Sequence, residues 1–72
     1  MLDWIAVSST RVVAAAFDAD QETIFVQFPD GSRWWYGGCS RELWGEFMSP
    51  TTSMGRLIHD VLDHHPNGRY EG

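Results

Sequence analysis

Thr23-Ile24-Phe25-Val26-Gln27-Phe28, Pro29-Asp30-Gly31-Ser32 and Arg33-Trp34-Trp35-Tyr36 follow one another without a break, and the fold turns on reading them together. The first six residues alternate, with Ile24, Val26 and Phe28 on one side and Thr23, Phe25 and Gln27 on the other, the period of a strand with two faces. Pro29 presets its φ, Asp30 bonds nearby backbone and Gly31 accepts positive φ, so the chain reverses there. Arg33 to Tyr36 returns as a partner strand that Gly37-Gly38 ends. A hairpin in register sets Trp34 and Tyr36 on the face of Ile24, Val26 and Phe28, which makes that face the core. Phe25, Arg33 and Trp35 are left on the other.

Upstream, Trp4 to Ser9 reads as a short, half-apolar strand, and Val12 to Phe17 as a second. The acidic run Asp18-Ala19-Asp20-Gln21-Glu22 lacks the spacing of a calcium loop and reads as a solvated turn. Downstream the period changes. Ser40 is an N-cap for a helix over Arg41 to Met48, with Leu43, Trp44, Phe47 and Met48 as its apolar stripe; Gly45, a poor helix former, is expected to pack closely on the sheet. The hydroxyls of Thr51, Thr52 and Ser53 offer caps for a second helix carrying Leu57, Ile58, Val61 and Leu62, and His65-Pro66-Asn67-Gly68 is a stop followed by a turn. Strands first and helices after predict one α+β domain over residues 1–72: a four-stranded antiparallel β-meander with two C-terminal α-helices packed on one face.

Composition narrows the function classes. A chain of 72 residues has a marginal core, which four Trp and four Phe help to fill. Five basic residues against ten acidic ones give −5, which disfavours duplex DNA, whose phosphates call for a positive face. All the basic residues are Arg, so neither a phosphate-loop lysine nor a Schiff-base amine is present. Cys39 alone rules out an internal disulfide and a multi-cysteine zinc site, as fits a reducing compartment. No apolar run approaches the roughly 20 residues of a membrane span, and Met1-Leu2-Asp3-Trp4 lacks the positive start of a signal peptide. A cytoplasmic protein is expected.

Several of these segments together resemble the KTSC family. Ser9-Thr10, then Val12, Ala15, Ala16, Phe17 and Asp18, resemble its opening, and Thr23 to Phe28 its next strand. Gly31-Ser32-Arg33-Trp34-Trp35-Tyr36 is similar to its Gly followed by Tyr-x-Tyr, with Trp34 in place of the first Tyr. Cys39-Ser40 and Leu43-Trp44 sit where the family has Val-Pro and aliphatic-Tyr, and Ser53-Met54-Gly55 resembles its Ser-x-Gly before an apolar helix. The likeness runs from about residue 5 to residue 66, and its specificity lies in the order and spacing of short motifs. The resemblance implies a small domain of the kind found at the C-terminus of some lysyl-tRNA synthetases and as stand-alone bacterial and phage proteins, with RNA as a suggested ligand. Trp34 for Tyr removes a hydroxyl, and any role of that hydroxyl does not carry over.

Two groups of residues are candidates for binding. Phe25 and Trp35, on a sheet face that the helices leave uncovered, form a stacking platform with Arg33 as a phosphate partner. The same aromatics equally suit a homo-oligomer contact or a host-protein partner. Ser53, Gly55 and Arg56 open the second helix and form the second group, an anion site of free N–H groups and one guanidinium; N-capping alone also explains the hydroxyls. His59 and Asp63, four apart on a solvated helix face, lack a third metal ligand, and Cys39 lacks a visible base, so no metal, cofactor or catalytic residue is expected. The reading is a non-catalytic module for a phosphate-bearing ligand, single-stranded RNA or a nucleotide (including capture of a nucleotide signal). The alternative is a protein-interaction module that acts through the aromatic sheet face.

Overall fold

The hairpin of residues 23–36 is the centre of a computed structural model that describes residues 2–71. Strand β3, Thr23–Gln27, pairs antiparallel with β4, Arg33–Tyr36, in the expected register: Ile24 opposite Tyr36, Phe25 opposite Trp35, Val26 opposite Trp34. The turn closes as its residues dictate. Gly31 takes φ 90°, its N–H donates to Phe28 O at 2.9 Å, and the Asp30 carboxylate accepts from Ser32 N at 2.9 Å and Ser32 Oγ at 2.6 Å. On the other side of β3 lies β2, Ala14–Asp18, and beyond it the short β1, Ile5–Ala6. The acidic segment between β2 and β3 is a tight turn: Asp18 Oδ1 accepts from Asp20 N and Gln21 N, and Glu22 sits at φ 49°.

The sheet has five strands rather than the four expected, in the order β1-β2-β3-β4-β5. The fifth, Asn67–Arg69, is the stretch that reads in sequence as a turn. Gly68 is there for space. A Cβ built on it would lie 2.9 Å from Trp35 Nε1, because the indole of the facing residue crosses directly over the glycine. Pro66 does not bar the pairing, since it contributes its carbonyl, which accepts from Gly37 N at 2.7 Å. The ladder continues to Tyr70, whose N–H donates to Arg33 O at 2.8 Å.

Helix α1, Arg41–Phe47, and helix α2, Met54–Asp60, cover one face, each with the serine cap expected of it: Ser40 Oγ accepts from Leu43 N and Ser53 Oγ from Arg56 N. The second helix is shorter than its apolar stripe implies. At Val61 the backbone leaves the helical region (φ −123°, ψ −59°), and a 3-10 turn, Leu62–His64, follows. Leu62 is thereby turned into the core, fully buried with Val12, Ile24, Val26, Cys39 and Phe47. Phe17 stacks on Trp44 with ring centroids 5.5 Å apart, which ties β2 to α1. Gly45 does not pack on the sheet. It is exposed, and a Cβ there would meet nothing within 4 Å.

Trp34 and Phe28 lie on the core face as expected but are only half-buried, because two short helices do not reach the hairpin end of the sheet. Phe47→Ala should therefore cost about 3–5 kcal/mol and leave the chain largely unfolded, whereas Trp34→Ala should cost about half that. Equilibrium denaturation followed by circular dichroism measures both. In the same experiment Gly45→Ala should stabilise the chain by about 0.5–1 kcal/mol, since it relieves the helix of a glycine without a clash.

Candidate functional site

The structure divides the six candidate residues into two groups. Ser53, Gly55 and Arg56 line an open groove of about 1240 Å³, and Phe25, Arg33 and Trp35 do not contribute to it. One wall is the loop from β1 to β2, Ser8-Ser9-Thr10-Arg11. The other is the connection between the helices, from Met48 to Ser53, with the first turn of α2. The loop is held by Ser9 Oγ, which accepts from Arg11 N at 3.1 Å. Ser49 and Thr51 share a hydrogen bond of 3.0 Å across the break.

Arg11 is the residue that the sequence reading missed. Its side chain runs across the start of α2, and a Cβ built on Gly55 would lie 2.9 Å from Arg11 Cδ and 3.0 Å from Cγ. Gly55 therefore exists to let an arginine from the other wall cross beside Arg56. The Ser-x-Gly spacing was visible in sequence, but its partner lies far away along the chain. Among the described residues neither Arg11 nor Arg56 takes part in an ion pair. Two guanidinium groups, hydroxyls on both walls and His59 at the rim give the groove a positive, donor-rich lining, against which stands the single carboxylate of Asp60. That carboxylate is hydrogen-bonded to His59 Nδ1 at 3.1 Å.

The sheet face opposite the helices differs from expectation. Phe25 is only 7% exposed, so it is no open platform. Trp4, just before β1, meets it edge-on at 6.4 Å, and Tyr70, just after β5, at 4.8 Å. Trp4 and Tyr70 also face each other at 6.4 Å, which closes a small aromatic cap over the middle of the sheet. Arg33 is part of this cap: its Cζ lies 5.1 Å from the Trp4 ring centroid, and its Nε donates to Gln27 Oε1 at 3.3 Å. Trp35 is half-buried across Gly68. The row Ala16, Phe25, Trp35, Gly68 explains the geometry, since the small residues make room for the rings between them.

Cys39 has a histidine beside it, though it is His65 rather than His59. The Sγ–Nδ1 distance is 4.0 Å. The pair is arranged for structure. The thiol is fully buried and donates to Tyr36 O at 3.3 Å, while His65 Nδ1 lies 2.9 Å from Gly37 O and spends its proton there. Burial also pushes the Cys39 pKa up, away from a reactive thiolate. His59 and Asp63 do not share a face, because the break at Val61 turns Asp63 toward Tyr36 and leaves His59 at the groove. Among the described residues no group of three or more His, Cys, Asp or Glu is placed to hold a metal ion, and no helix is long and apolar enough to cross a membrane.

Tyr36 carries the largest pKa shift. Burial, then the Asp63 carboxylate, push its phenol from 10.0 up to about 12. Between those values the folded chain keeps a proton that the unfolded chain has lost. The stability present below pH 10 should therefore fall as pH rises from 10 to 12. Denaturant midpoints across that range should show the decline, and Tyr36→Phe should flatten it.

No protein-family model matches the chain, and no curated protein matches it. A solved structure does: the crystal structure of a KTSC domain protein from Yersinia pestis, at 24% identity and a TM-score of 0.87, over 97% of this chain and 99% of that one. The five-stranded meander with its two helices is thus, as the motifs of the sequence imply, the KTSC-domain fold.

Proposed function

We propose that the chain is a non-catalytic binding module, working in the reducing cytoplasm, that takes a phosphate-bearing ligand in the groove between the Ser8–Arg11 loop and the start of α2. The reading is carried by Arg11 and Arg56, two arginines that form no ion pair among the described residues and that the fold brings together from distant positions in a chain of net charge −5. Arginine suits phosphate because its planar fork donates two parallel hydrogen bonds. The hydroxyls of Ser8, Thr10 and Thr52 beside them suit the remaining phosphate oxygens and a ribose. The groove has room for a nucleotide or a short single strand, and single-stranded RNA or a nucleotide is the class that we assign.

Self-association through the aromatic face is the weaker reading, because its central ring, Phe25, is already covered by Trp4 and Tyr70. Catalysis has equally little support, since Cys39 is buried and His65 is engaged with backbone.

Calorimetric titration with adenosine monophosphate and with a short single-stranded RNA tests the proposal. Binding should weaken as salt rises, and Arg11→Ala and Arg56→Ala should each weaken it about tenfold, with a shallower salt dependence. Trp35→Ala should leave it within about twofold. Binding that ignores both arginine variants, or that Trp35→Ala abolishes, would return the ligand to the sheet face.

A further inference from the structure

A second groove, of about 410 Å³, opens at the hairpin end of the core face and shares no lining residue with the first. Its floor is aromatic, made by Phe28, Trp34 and Tyr36 where the helices stop short. A carboxylate stands at each end: Asp30 in the hairpin turn and Asp63 in the 3-10 turn. No arginine or histidine lines it. Arg69, opposite Trp34 in register, is close enough to add to the lowering of the Asp30 pKa, and its guanidinium is also paired with Glu71 at 3.7 Å. The Tyr36 side chain supplies a separate observation. The residue is only 3% exposed and lines the groove, with the Asp63 carboxylate near enough to act on its phenol.

Each part of this lining selects for positive charge. Aromatic faces are negative and attract cations. Asp30 stays ionised, its pKa lowered by the hydrogen bonds from Ser32, and those bonds use only its Oδ1. Asp30 sits at the hairpin-turn end of the floor and Asp63 at the 3-10-turn end, so the two carboxylates suit two charges joined by a flexible apolar spacer. We infer that this groove binds a linear polyamine, with one ammonium at Asp63 and the Tyr36 hydroxyl, a second at Asp30, and the methylene chain across Trp34 and Phe28. The net charge of −5 raises the local concentration of such a polycation.

Spermidine titrated into the isotopically labelled chain, followed by amide and indole NMR shifts, tests the assignment. The expected result is saturable change confined to the residues that line the groove, with Asp30, Trp34, Tyr36 and Asp63 foremost. Asp63→Asn and Asp30→Asn, at exposed positions, should each weaken binding about tenfold, and Tyr36→Phe about threefold. Magnesium chloride, added as a general counter-ion, and 1,6-hexanediol, an uncharged chain, should not reproduce the shifts. Change spread over the acidic surface, an equal response to magnesium or to the diol, or undiminished binding by Asp63→Asn in a folded protein would overturn the proposal.

Discussion

Strand β3 has to be kept dry on both faces, and most of the molecule is arranged to do so. Thr23, Ile24, Phe25 and Val26 are all buried, which is unusual for a small sheet with helices on one side only. On the core face Phe47, Leu57, Ile58 and Leu62 cover Ile24 and Val26. On the other face there is no helix to spare, and Phe25 is closed over by Trp4 and Tyr70, one flanking each outer strand. The heavy aromatic content is the means of solving this problem in so short a chain. Edge strands of two and three residues suffice because their main task is to deliver those rings.

The same economy shapes the surface. The helices are just long enough to cover the middle of the core face, so concave surface remains beyond each end of them. At one end the interhelical break and the loop after β1 bring Arg11 and Arg56 together; at the other, the hairpin turn and the 3-10 turn bring Asp30 and Asp63 over aromatic rings. The change from α to 3-10 at Val61 separates the two environments, because it sends His59 to one and Asp63 to the other. A protein that is acidic as a whole therefore has one positive and one negative recess, and the sign of each follows from local geometry rather than net charge.

Much of this architecture was legible in the sequence. Residues 23–36 gave their strands, turn and register directly, because alternation and turn chemistry are local signals. The serine caps were legible for the same reason. What escaped was non-local. Asn67-Gly68 carries the composition of a turn, and only the Trp35 ring, on the neighbouring strand but two helices earlier in the chain, explains why a glycine stands in a strand there. Gly55 reads in sequence as part of an anion site, and the arginine it makes room for, Arg11, lies far earlier in the chain. Phe25 read as exposed because alternation tells which face a residue is on, not what else arrives to cover that face. The resemblance carried the fold, which the Yersinia pestis structure shares.

The ring contact between Trp4 and Tyr70 joins opposite ends of the described chain across the whole width of the sheet. The first four strands pair through short connections, so a folding chain can zip them locally before that contact forms, whereas β5 reaches β4 only after both helices. Closure over Phe25 is then the step with the greatest loop entropy and the first to be undone by fraying at either edge. Loss of that contact alone would leave the sheet paired while uncovering Phe25, so the cover of the outer face rests on the grip of two rings.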